Sequence, residues 1–243
     1  MRIKIINPNT YIDMTRSIDT IAKRCARPDT EIVTVSPEHG PFTIEDNFDK
    51  AIATVGTIEE IKKGVLEHFD GYVIACFGDP GLYAGREIAE APVIGIAEAS
   101  FYMACMLGHR FSIISILDRF KSAMEELVNK YGLDNRCASI RCTNVPVADF
   151  ERDRQKGEAA LIQTARCAVE EDGAEVICLG CAGMVAFDEV MERTLHVPVI
   201  DPVVAAVKTA ESVIDTGKRT SKIKTFRPPE KKVIKGYSEI MQP

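Results

Sequence analysis

The chain has 243 residues, long enough for a buried core in one large or two small domains, and its 46% hydrophobic and 27% charged content is that of an ordinary globular protein. A net charge of -6, with no basic cluster before the C-terminal tail, argues against nucleic acid as a partner, and no apolar run reaches membrane-span length. The short, charged start Met1–Ile6 has no signal-peptide character, so the cytoplasm is the expected compartment, where the eight cysteines would be reduced.

Residues 2–6 are rich in isoleucine and read as a buried strand ended by Asn7-Pro8-Asn9-Thr10. Ile12, Met14, Ile18, Ile21 and Ala22 then recur at helical spacing up to about Cys25. Glu31–Val35 reads as a short strand, Gly40-Pro41-Phe42-Thr43 as a loop, and Asn47 to about His68 as helix in one or two pieces. Tyr72–Cys76 has the continuous apolar character of a strand buried on both faces. A helix over Tyr83–Ala91, a strand over Val93–Ile96 and a helix over Ser100–Leu107 with Ser100 as N-cap complete the series.

The series then starts again. Arg110-Phe111-Ser112-Ile113-Ile114-Ser115 mirrors residues 2–7, and helix over Phe120–Tyr131, strand over Ala138–Cys142, helix over Glu158–Glu171 and strand over Val176–Gly180 follow. Val185–Thr194 reads as helix, Val197–Ile200 as strand and Val203 to about Asp215 as helix. Alternating strands and helices predict an α/β fold of parallel sheets, and the repeat predicts two pseudo-symmetric ones from an internal duplication. Lys218–Lys235, basic and with Pro228-Pro229, reads as an extended tail packed on the surface.

The duplication points to a site. Ligands of open α/β sheets bind outside the carboxyl ends of the strands, and in each half a cysteine stands at the end of the third strand, Cys76 before Phe77-Gly78-Asp79-Pro80-Gly81 and Cys181 before Ala182-Gly183-Met184. Two halves related by a pseudo-twofold would set both thiols across one interdomain cleft. A thiolate is a base and a thiol the matching acid, and glycine-rich turns supply backbone N–H groups that lower a cysteine pKa or bind an oxyanion. Such a pair removes a proton from one face of an acidic carbon and returns one to the other, a racemisation or epimerisation needing neither metal nor organic cofactor.

Asn7-Pro8-Asn9-Thr10, Cys76-Phe77-Gly78-Asp79-Pro80-Gly81, and Leu179-Gly180-Cys181-Ala182-Gly183-Met184 followed by Pro198-Val199-Ile200-Asp201-Pro202 resemble the hydantoin racemases of the aspartate/glutamate racemase superfamily, over essentially the whole chain. The resemblance implies cofactor-independent racemisation of 5-substituted hydantoins or allantoin, with Cys76 and Cys181 each base for one enantiomer and acid for the other. It also implies that the last helix crosses back, giving a first domain of residues 1–96 plus about 203–243 and a second of 97–202. In the amino-acid racemases hydroxyl and charged residues follow the cysteines; here Phe77-Gly78 and Ala182-Gly183 do, which suits an uncharged cyclic amide. Further candidate contacts are Asn7 and, less so, Asn9, with Ser115 at the equivalent place, Thr43, Phe120, and the backbone N–H of Asp79.

Rival readings are weaker. Cys178 and Cys181 form a C-x-x-C, but Cys178 lies inside a strand and no second such pair exists, against redox or zinc chemistry. A small-anion binding protein would have no use for matched cysteines. An amino-acid racemase, or a decarboxylase or isomerase of the superfamily, is the nearer alternative, although decarboxylases of this type are expected to keep one cysteine. The remaining cysteines, 25, 105, 137, 142 and 167, read as structural. The expected partner is a small molecule, with no nucleic acid or membrane, and the expected assembly a homo-oligomer.

Overall fold

The computed structural model describes residues 1–242, except for the side chain of residue 151. Its first half runs β1 (Arg2–Ile6), α1 (Ile12–Cys25), β2 (Glu31–Val35), α2 (Asn47–Leu66), β3 (Gly71–Ile74), α3 (Leu82–Ile88), β4 (Val93–Gly95) and α4 (Ile96–Leu107). The second runs β5 (Phe111–Ser115), α5 (Lys121–Lys130), β6 (Cys137–Cys142), α6 (Val147–Arg152), α7 (Arg154–Glu170), β7 (Val176–Leu179), α8 (Asp188–Leu195), β8 (Val199–Ile200) and α9 (Pro202–Asp215). Each half forms a four-stranded parallel sheet, ordered β2-β1-β3-β4 and β6-β5-β7-β8. The strand order is therefore the same in both, as the sequence repeat requires. Central strands β3 and β7 are buried at every residue, which explains their unbroken apolar sequences.

The two sheets exchange helices. α4, the last element of the first half, packs on β7 and β8, while α9, the last of the second, packs on α1, β3 and β4; α4 and α9 lie against each other between them. Glu211 fixes α9 in place. Its buried carboxylate accepts from Arg27 N (2.8 Å), Thr30 Oγ1 (2.8 Å) and Lys208 Nζ (2.9 Å), tying the helix to the turn between α1 and β2.

α2 runs in one piece to Leu66, and its Gly64 packs close to the sheet, where a Cβ would lie 2.5 Å from Tyr72 Cε1. Two local readings are corrected. Ser100 is not an N-cap; α4 starts at Ile96, and the Ser100 hydroxyl donates within the helix to Ile96 O (2.6 Å). The six-residue α6 has no counterpart in the sequence reading, being too short to show a helical period. The tail lies along the first half, with Thr220 N donating to Glu90 O (2.9 Å) and Lys222 Nζ to Glu87 O (3.0 Å). Among the described residues no helix is long and apolar enough to cross a membrane.

Replacing Glu211 with Ala removes the acceptor of a part-buried backbone N–H and a threonine hydroxyl, and should cost about 1–2 kcal/mol in urea unfolding. A loss below about 0.5 kcal/mol would show that this carboxylate does not anchor the helix.

Candidate active site

Both cysteines are delivered by the same local device. Past the last residue of β3, Ala75 N still donates to Ile6 O (2.8 Å); past β7, Gly180 N still donates to Ile114 O (2.8 Å). The following residue is the first released from each sheet: Cys76 in one half, Cys181 in the other. Each then opens a tight turn, with Asp79 N donating to Cys76 O (2.9 Å) and Met184 N to Cys181 O (3.0 Å).

The two cysteines line one small cavity of about 20 Å³. Phe77, Gly78, Phe120 and Ala182 line it with them, as do Asn9, Met14, Ile44, Ile116 and Val147. Among these lining residues none is charged, and Asn9 brings the one side-chain amide. Such a volume holds about one water molecule, less than a five-membered ring. Larger depressions exist, one of about 880 Å³ over β6 between α5 and α7, but they are open to solvent and contain neither cysteine of the pair. Beside it the halves are in contact: Val147 N donates to Glu45 Oε1 (2.9 Å) and Arg119 pairs with Asp46 (3.0 Å).

Burial dominates the electrostatics. It pushes the Cys76 thiol up to about 11, opposed by the Gly78 N–H and Lys50 and reinforced by Asp79. Cys181 is pushed up to about 12, again by burial first, with the Gly183 N–H opposing and Cys76 and Glu45 adding to the rise. The expectation that turn N–H groups lower these pKa values is thus corrected in balance: the N–H groups act in that direction, and desolvation outweighs them. The Gly183 N–H is also committed, donating to Cys181 Sγ (3.3 Å), so it serves the sulfur rather than a bound ring.

Of the residues singled out in the sequence, Cys76, Phe77, Gly78, Phe120, Cys181 and Ala182 come together at the cavity. Others miss it by one position in register. Thr43 and Ser115 do not line it, whereas their neighbours Ile44 and Ile116 do. The ranking of the asparagines reverses, since Asn9 faces the cavity and the fully buried Asn7 supports it, donating to Asn9 Oδ1 (2.8 Å) and Thr15 Oγ1 (2.9 Å). Asp79 is turned away: its N–H is used within the turn and its carboxylate accepts from Ala97 N (3.1 Å), Glu98 N (3.0 Å) and Tyr131 Oη (2.7 Å). Cys178 is fully buried with its thiol near Ser100 O (3.8 Å), outside the cavity. Among the described residues no cluster of three or more histidine, cysteine or acidic side chains is arranged to hold a metal ion.

A family model described as Asp/Glu/Hydantoin racemase matches residues 3–210. The chain belongs to that family. A hydantoin racemase from Pseudomonas sp. (strain NS671) is 53% identical over 239 residues, covering 98% of this racemase and 96% of the relative. Among solved structures, an allantoin racemase from Klebsiella pneumoniae superposes with a TM-score of 0.95 at 44% identity, over 97% of this chain and 96% of that one. The allantoin racemase from Pseudomonas fluorescens gives 0.91 at 38% identity, over 96% and 100%.

Alkylation of Cys76 and Cys181 in the free racemase should keep accelerating as pH rises past the ordinary thiol value of 9.0, because burial raises both. A plateau below about pH 8, followed site by site by mass spectrometry, would show that the turn N–H groups prevail over desolvation.

Proposed function

We propose that this racemase interconverts the enantiomers of 5-substituted hydantoins, allantoin among them, by proton transfer at C5 between Cys76 and Cys181, with no metal or organic cofactor. The observation carrying this reading is that the two thiols line one cavity from equivalent turns of two repeated halves. One sulfur, as thiolate, takes the C5 proton; the electron pair left behind delocalises into the ring carbonyl as a planar enolate. The opposite thiol then donates its proton to the other face and becomes the thiolate. The enzyme is left with its charge on the other sulfur, ready for the reverse enantiomer.

The cavity walls favour a neutral ring over an amino acid. An ammonium and a carboxylate would each need a charged or multiply hydrogen-bonding partner on burial, and none of the lining residues is charged. Asn9 brings the one side-chain amide to these walls; its Oδ1 accepts from Asn7 and Tyr11, and its Nδ2 donates only to the weak acceptor Met14 Sδ, a bond that a ring carbonyl could replace. A thiol with a raised pKa is scarce as thiolate but is a stronger base once ionised, which matches it to a carbon acid. The packing of α9 on the first sheet and α4 on the second supports a division into residues 1–96 plus about 203–243 and 97–202. We further read the protein as a cytoplasmic homo-oligomer acting on a small molecule, without nucleic-acid or membrane partners.

In D2O, product formed from either enantiomer of a 5-substituted hydantoin should carry deuterium at C5. Cys76→Ser and Cys181→Ser should each lower racemisation by about 10²–10⁴-fold. Near wild-type rates in both single variants would overturn the two-cysteine reading; turnover of aspartate or glutamate in place of hydantoins and allantoin would overturn the substrate class.

A further inference from the structure

Aligning the halves on their cysteines pairs Asp79 with Met184, and aligning the fourth strands of each sheet pairs Gly95 with Asp201. The two halves therefore carry a buried aspartate at different positions. In space the carboxylates do the same work. Asp79 reaches from the Cys76 turn to the N-terminus of α4, accepting from Ala97 N and Glu98 N. Asp201 sits at the N-terminus of α9, accepting from Val203 N (2.9 Å) and Val204 N (3.2 Å), and reaches back to accept Ala186 N (3.0 Å) from the segment after Cys181. Gly95 shows that the place is shared: a Cβ there would lie 2.3 Å from Asp79 Cγ. The first half has the carboxylate arriving from the turn where the second has it arriving from the strand.

Both carboxylates are 4% exposed, and both linked segments hold a non-glycine residue in the left-handed region, Asp79 at φ 43° and Ala186 at φ 62°. Backbone of that kind persists only where its surroundings impose it. Moreover, α4 lies on β7, the strand that delivers Cys181, and α9 on β3, the strand that delivers Cys76. Each carboxylate thus ties one cysteine turn to a helix seated on the opposite sheet.

We propose that Asp79 and Asp201 are a matched pair of positioning residues, Asp79 setting the placement of the Cys76 sulfur and Asp201 that of the Cys181 sulfur relative to the plane of the substrate. This rests on the two-cysteine reading above. Tyr131, reaching from the second half to donate to Asp79 (2.7 Å), belongs to the Cys76 side.

The test uses C5 exchange, because the two enantiomers present their protons to different sulfurs. Racemisation itself must fall equally in both directions, as the equilibrium constant is unity, by on the order of 10- to 100-fold for a displaced sulfur. Deuterium wash-in without inversion is free to be one-sided. Asp79→Asn and Tyr131→Phe should lose wash-in for the enantiomer that Cys76→Ser loses and retain it for the other; Asp201→Asn should show the opposite pattern, matching Cys181→Ser. Tyr131→Phe keeps both helix-capping bonds, so it carries the test should Asp79→Asn fail to fold. Equal loss for both enantiomers, or unchanged wash-in in folded variants, overturns the proposal. Cysteine variants that themselves lack opposite one-sided patterns overturn the two-cysteine reading instead.

Discussion

The arrangement depends on each sheet borrowing its neighbour's last helix. Two parallel sheets with the same strand order would otherwise each bury their own faces and leave the carboxyl ends of β3 and β7 unrelated in space. With α4 seated on the second sheet and α9 on the first, the two sheets are held by a shared pair of contacting helices. The relative placement of the two strand ends then becomes a property of the core rather than of surface loops. The proposed transfer between two sulfurs needs that kind of support, since misplacement of about 1 Å can cost about 100-fold in rate.

Desolvation is the second governing effect, and it acts against the local backbone. The turn that releases each cysteine aims N–H groups at it, which alone would favour thiolate. Burial in an apolar cavity outweighs them and raises both thiols above the ordinary value. A cysteine tuned for nucleophilic attack is held low in pKa; burial holds these two high.

Much of this was legible in the sequence because duplication leaves a signal independent of local propensity. The repeat of apolar strand, cysteine and glycine-rich turn identified Cys76 and Cys181 as equivalent and separated Cys181 from Cys178. What was illegible arises where the decisive partner comes from far away in the chain. The start of α4 is capped by Asp79, 18 positions back from Ala97, so the nearby Ser100 looked like the better cap. The Asp79 N–H, read as a candidate contact, is used within its own turn, and the carboxylate is spent on α4 and Tyr131. Ile44, Ile116 and Val147 line the cavity through loop register and a single short helix, neither of which leaves a period to read.

The contacts that join the halves beside the cavity differ in kind from those that hold the sheets. Asp46 divides its carboxylate, one oxygen accepting Asp49 N (2.9 Å) at the head of α2 and the other facing Arg119, whose side chain is 64% exposed. Breaking the outer half leaves the helix cap intact, and an exposed ion pair contributes about 0–1 kcal/mol. Of the contacts that join the halves beside the cavity, this ion pair is therefore the one that can open at little free-energy cost and without disturbing the head of α2.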